Sequence, residues 1–181
     1  MARAVALKLN LGCADRQFPG FRSVDKVPPA DEIADLADLR ISIEPNGKFR
    51  TYFMPWPWGD SSVDEIKAYD IFEHFPDATE ITGKIHALNE SWRVLKKGGH
   101  LEMIIPSSSK GAGHAQDPTH RGVGWCMNSF QYFQDGSFAV QRLAKSYCIR
   151  ARFRILSLTE RQYTDAFEDV WKVTGVLEAV K

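Results

Sequence analysis

The stretch LNLGCADRQFPGFRSVD, residues 9 to 25, constrains the fold of this chain more than any other. One apolar run breaks at Gly12, and a second closes on Asp25 only thirteen residues later. A buried strand, a tight turn and a second strand ending in a carboxylate are how a parallel α/β sheet begins. They set a sharp backbone turn beside an acid able to hold a ribose. The interval is too short for a helical crossover, which with its turns needs about 10–12 residues or more.

The dinucleotide fingerprint G-x-G-x-x-G is not met, because Ala14 and Gln17 stand where its second and third glycines belong. A pyrophosphate also wants the N-terminus of the missing helix. S-adenosylmethionine carries no phosphate, so the compressed turn costs it less, and Asp25 is placed to accept hydrogen bonds from both ribose hydroxyls.

Residues 5–11 and 21–25 read as buried strands, and residues 31–36 as a third, short one. The turn signal PNG at residues 45–47, between ISI and FRTYF, predicts a small inserted hairpin within residues 41–54. Residues 63–69 form the next strand. Ile81, Ile85, Leu88, Trp92 and Leu95 then make one helical stripe. Asp77 with Glu80 gives that helix a capping box, and Gly98-Gly99 after Lys96-Lys97 gives it a stop. Residues 100–105 are a strand ended by Pro106, and residues 149–155 and 170–180 pair as a closing hairpin. This order predicts an α/β, Rossmann-like, mostly parallel sheet with a C-terminal antiparallel hairpin and a compressed first crossover.

At 181 residues, one domain over residues 1–181 is expected. Lys plus Arg balance Asp plus Glu at 23 each, so net charge gives no pull toward nucleic acid or an anionic membrane. Three cysteines with no C-x-x-C pair argue against a disulfide framework or a zinc knuckle and for a reducing compartment. The N-terminus does not read as a signal peptide, and no run reaches the ~18 apolar residues of a membrane span. The expectation is a soluble, cytoplasmic domain.

LNLGCADRQFPGFRSVD, ADEIADL, MPWPWGDSSVDEIKAYDIFEHF, RVLKKGGHLEMIIP and DPTHR occur in this order over most of residues 7 to 135. Together they resemble the class I S-adenosylmethionine-dependent methyltransferases, and more narrowly a subgroup of short predicted methyltransferases with a compressed first crossover. The ending VLEAVK resembles the family's final antiparallel strand. The resemblance implies S-adenosyl-L-methionine as cofactor and methyl transfer as the activity. It implies Leu11, Gly12, Cys13 and Ala14 around the methionine part, and Asp25 at the ribose. Asp35 would approach the adenine amino group, with Asp38 as its rival because the inserted segment blurs the register. Tyr69 and Asp70 would line the sulfonium side. There are two departures. Ala14 replaces the usual glycine, bringing a methyl group that can crowd the bound amino acid, and Asp70 stands where the subgroup often has histidine.

Residues 107–135 are rich in Ser, Gly, His and Pro and too long for a simple connection, which marks a lid or binding loop over the crevice. His120 is the first choice for a general base, oriented by Asp117. His114, Asp117 and His120 can also be read as metal ligands, but their spacing is not diagnostic and no metal is assigned. A third reading has Asp117 and His120 only pinning the loop. Glu73-His74 either faces the cofactor and acceptor or caps a local turn. Trp56, Trp58, Trp125, Phe130, Tyr132 and Phe133 either line an acceptor pocket or pack the core and lid. Arg150, Arg152 and Arg154 alternate along a predicted strand. They make either a phosphate contact or a charged sheet face paired with acids such as Glu168.

The chain lacks an Asn-Pro-Pro-aromatic motif after the fourth strand, a Pro-Cys pair and a triple-cysteine cluster. Those absences argue against DNA amino-methylation, cytosine C5 attack and radical chemistry. The expected activity is methyl transfer to a small-molecule acceptor. One rival is a non-catalytic protein that kept the fold, with or without cofactor binding. Another is a nicotinamide oxidoreductase, against which the missing glycines and the short crossover both count.

Overall fold

In the computed structural model, which describes residues 5–110, 117–122, 124–164 and 169–181, strand alternation fixes the architecture. On β1 (Lys8–Leu11), β6 (Val63–Tyr69) and β7 (Leu95–Pro106), the buried Leu9, Leu11, Ile66, Ala68, Leu101, Met103 and Ile105 share one face. The other face carries rows of charge. Lys8 pairs with Glu65 at 2.7 Å, Lys67 with Glu102, and Arg154 with Glu178 at 2.9 Å. Register puts Lys8, Glu65, His100, Glu178 and Arg154 side by side across five strands. Cross-strand pairs of opposite charge let this face meet water where the crossover helix is missing.

The sheet order is β3-β2-β1-β6-β7-β9-β8, with β2 (Arg22–Asp25), β3 (Glu32–Ile33), β8 (Phe153–Thr164) and β9 (Asp169–Ala179). The pairs β1/β2, β2/β3, β1/β6 and β6/β7 are parallel; β9 runs antiparallel to both β7 and β8. Successive connections leave β1 in opposite directions, which opens a crevice at the strand C-termini. The predicted hairpin forms as β4 (Leu39–Ile43) and β5 (Phe49–Phe53), a separate two-stranded sheet.

Helix α1 (Gly83–Val94) packs on the apolar face of the sheet, and its limits differ from expectation. Thr82, not Asp77, is the N-cap, its side chain accepting from the Ile85 N–H. Glu80 instead pairs with Arg50. Asp77 still contributes, accepting the Gly83 N–H at 3.1 Å. At Gly83 a Cβ would lie 2.3 Å from the Pro76 carbonyl oxygen, so the helix start is pressed against the preceding segment. The helix ends at Val94, and Gly98, at φ +75°, lies within β7 rather than stopping α1. A short helix α2 (Phe138–Leu143) follows a 3-10 turn at Met127–Tyr132.

β8 begins later than predicted because α1 captures the backbone before it. The buried Asn89 side chain accepts the Arg150 and Ala151 N–H groups at 2.8 and 3.0 Å and donates to the Cys148 carbonyl at 2.8 Å. Those two N–H groups are lost to any sheet ladder, and β8 begins at Phe153, so neither Arg150 nor Arg152 is on the strand. Arg154 is on β8, and it pairs with Glu178; Glu168 lies outside the described residues. No helix among the described residues is long and apolar enough to cross a membrane.

Candidate active site

β1 ends in the turn that the opening stretch predicted. Gly12 takes φ +61°, and its N–H donates to the Val24 carbonyl at 2.9 Å, folding the chain back over β2. Ile71 closes on it so tightly that a Cβ at Gly12 would lie 2.4 Å from the Ile71 Cδ1. Asp25, at the end of β2, is anchored by two backbone donors: the Ala14 N–H reaches its Oδ2 at 3.0 Å and the Lys26 N–H its Oδ1 at 2.7 Å. Each oxygen keeps a second lone pair for a further donor. Asp35, just after β3, accepts the Ala37 N–H at 3.0 Å in an Asx turn.

Gly12, Asp25 and Asp35 line one cavity of about 250 Å³ with Asp70, Ile71 and His74. Ala34, Leu36 and Phe75 add apolar wall. Asp70 sits at φ +54°, and its Oδ1 accepts from Lys172 Nζ on β9 at 2.8 Å, which balances its charge.

Behind His74 lies a second group. A 3-10 turn at Phe72–His74 follows β6, and the Arg121 N–H donates to the Glu73 carbonyl at 2.6 Å, tying residues 117–122 to it. Thr119 reaches the His74 Nδ1 at 3.0 Å, and the Asp117 Oδ1 accepts from the Thr119 hydroxyl at 2.6 Å. The His120 ring meets the His74 ring edge-on, centroids 4.9 Å apart. Its Nε2 is 3.7 Å from Asp117 Oδ2 and 3.9 Å from Glu73 Oε1. The Glu73 side chain is 0% exposed, and among the described residues neither of its carboxylate oxygens has a hydrogen-bond partner. Burial pushes its carboxyl up to about 8, and burial together with the neighbouring His120 pushes His74 down.

No protein-family model matches the chain, and no curated protein matches it by sequence. Solved structures do match in fold. N-methyltransferase NodS from Bradyrhizobium japonicum WM9, in complex with S-adenosylhomocysteine, superposes with a TM-score of 0.55 at 13% identity, covering 98% of this chain and 80% of NodS. A SAM-dependent methyltransferase from Methanosarcina mazei gives 0.56 at 12% identity, over 99% of this chain and 94% of its own. The 1,6-didemethyltoxoflavin-N1-methyltransferase of Burkholderia thailandensis, solved with 1,6-didemethyltoxoflavin and S-adenosylhomocysteine, gives 0.51 at 13%, over 97% and 72%. The fold is that of the class I methyltransferases.

Within that fold, the residues singled out from sequence separate into groups. Gly12, Asp25, Asp35 and Asp70 come together in the cavity wall. Asp38 does not; it pairs with Arg40 at 2.7 Å, so of the two rivals it is Asp35 that faces the cavity. Leu11 and Cys13 are buried beneath the turn. Ala14 is exposed, outside the cavity lining, and adopts φ +45°, a left-handed conformation that glycine takes without strain. Tyr69 also lies outside the lining: its hydroxyl donates to Glu102 and its ring packs edge-on against Phe18, on the charged face of the sheet.

His120 and Asp117 do come together, but the imidazole in the cavity wall is His74. His114 lies outside the described residues. Trp56, Trp58, Trp125, Phe130 and Phe133 are core, and Tyr132 packs partly against it. Lys26, Ile71, Phe75 and Lys172 were not expected at the site. The turn-forming run after Tyr69 was a usable signal for Ile71 and Phe75; nothing local marks Lys172, 102 residues from its partner Asp70.

Proposed function

We propose that this chain, as one domain over residues 1–181, binds S-adenosylmethionine in the Gly12–Asp25 cavity and transfers its methyl group to a small-molecule acceptor. The observation that carries the reading is Asp25. Its carboxylate is fixed by two backbone N–H groups at the end of β2, inside a cavity beside a left-handed glycine turn. The residues present suit the group. A preorganised carboxylate accepts from vicinal ribose hydroxyls, the Ala34–Leu36 and Phe75 surfaces take a planar base, and Asp35 stands at that edge as acceptor for an exocyclic amine.

Bound S-adenosylmethionine supplies an electrophilic methyl group on a sulfonium. The chain has to orient the acceptor, exclude water and receive a proton. The side facing that task is His74, backed by His120, with Asp117 near the His120 Nε2.

Calorimetric titration with S-adenosylmethionine and S-adenosylhomocysteine, NADH serving as control, tests the cofactor. Micromolar binding of the first two alone is expected; binding of none by the folded protein refutes the reading. Product formation across an acceptor panel then tests transfer. His120→Ala is expected to lower turnover with cofactor affinity nearly intact, and full activity in that variant would leave His120 a loop-packing residue.

A further inference from the structure

We infer that Glu73, His74 and His120 form a binding site for one divalent cation of the imidazole-preferring kind, Zn²⁺ foremost. One ligand atom from each residue lies within 4.8 Å of the others. His120 Nε2 and Glu73 Oε1, 3.9 Å apart, need only a small contraction to the roughly 3.4 Å that separates two donors on a tetrahedral zinc bonded at about 2.1 Å.

A second, independent observation points to a ligand. Glu73 is 0% exposed, yet among the described residues both carboxylate oxygens lack a hydrogen-bond partner. A carboxyl buried in this way must hold a proton or meet a cation, because an uncompensated charge in an apolar interior is too costly. The buried ammonium of Lys84 is bonded to the Arg121 carbonyl and not to Glu73.

The surroundings are built as metal sites are. The Thr119 hydroxyl donates its proton to Asp117 Oδ1, so toward His74 it can only accept. His74 Nδ1 is then the protonated nitrogen, and Nε2 carries the lone pair a metal needs. Two imidazole nitrogens and one carboxylate oxygen are the donor set of catalytic zinc sites that keep a fourth position open. This set is not the His114–Asp117–His120 triad considered from sequence: two of its three ligands come from the turn after β6, and Asp117, whose Oδ2 lies 3.7 Å from the same His120 Nε2, stands beside the site. On the methyl-transfer reading, the open position, at the His74 wall of the cavity, would take the acceptor's own donor atom and make its proton easier to lose.

The test uses the full chain, stripped with EDTA, dialysed, and titrated with Zn²⁺ by calorimetry and with Co²⁺ by absorption. Expected are saturation at one ion per chain, micromolar or tighter, a Co²⁺ spectrum without a thiolate charge-transfer band, and a raised melting temperature. His120→Ala and Glu73→Gln should each weaken binding by about tenfold or more. Glu73→Gln keeps the side-chain shape but exchanges the anionic oxygen donor for an amide, so it decides the matter if His120→Ala disturbs the loop. Binding that survives both substitutions, or no saturable binding by folded wild-type protein, overturns the site. S-adenosylhomocysteine affinity measured on the same samples reports separately on the cofactor cavity, so failure of the cation site and failure of the methyltransferase reading are distinguishable.

Discussion

Replacing Gly12 by alanine puts a methyl group where the backbone is left-handed, at φ +61°, and where Ile71 leaves no room. The new Cβ would meet Ile71 Cδ1 at 2.4 Å and its Cβ and Cγ1 at 2.8 Å. The left-handed conformation costs an L-residue roughly 1–2 kcal/mol, and overpacking a tight site adds about 1–3 kcal/mol. Together these give a loss of about 2–5 kcal/mol, a large part of the ~5–15 kcal/mol by which a domain is folded. Urea unfolding measures that loss as a lower midpoint at unchanged slope. A double-mutant cycle with Ile71→Ala isolates the contact with Cγ1 and Cδ1, because truncation removes those atoms and leaves the residue 71 Cβ contact and the backbone strain. A coupling of about 1–3 kcal/mol is expected. Ile71 also lines the cavity, so Gly12→Ala alone should weaken S-adenosylhomocysteine binding. A Gly12→Ala protein within about 1 kcal/mol of the parent, or a strictly additive cycle, would refute the picture of a turn locked by Ile71.

Asp25→Ala should weaken S-adenosylhomocysteine binding by about 1–3 kcal/mol, the cost of losing hydrogen bonds to a charged group; an unchanged calorimetric Kd removes Asp25 from the site. Ala14→Gly should stabilise the protein by about 1 kcal/mol by relieving the strain of φ +45°, and a lowered urea midpoint would show that the turn prefers alanine. His86, stacked on Phe53 at 4.3 Å, is pushed by burial down to about 4, against the opposing pull of Glu90 and with help from Arg150 and Arg93. Unfolded, it titrates near 6.5. Between those values the unfolded chain binds a proton that the folded chain does not, so stability falls as pH drops from about 6.5 to 4, by about 3 kcal/mol in all. Midpoints at pH 7 and pH 4.5 should therefore differ less in His86→Gln than in wild type; equal differences would sink the assignment.

The strands were legible wherever a two-residue alternation met a turn signal. Residues 63–69 were bounded as β6 without error, and PNG fixed the β4–β5 hairpin. The stripe of Ile85, Leu88 and Trp92 announced α1, but its start did not follow the local capping pattern. The contact of Gly83 with Pro76 and Phe75 sets that start, with Thr82 as the cap. The position of β8 was hidden for a similar reason: Asn89, far away on α1, claims the backbone donors that local alternation would assign to a strand.

Sequence by itself determined what depends on neighbours along the chain. It set the face each strand buries, the left-handed turn at Gly12 and the acid that closes β2, since these follow from side-chain period and backbone sterics. Tertiary structure decided what depends on burial and on partners brought from elsewhere. It chose Asp35 over Asp38 by the cavity, matched Asp70 with Lys172, and set His120 beside a Glu73 carboxyl sealed from water. No pattern within a few residues encodes those pairings, because desolvation and Coulomb energy are set by distance through the folded interior and not by separation along the chain.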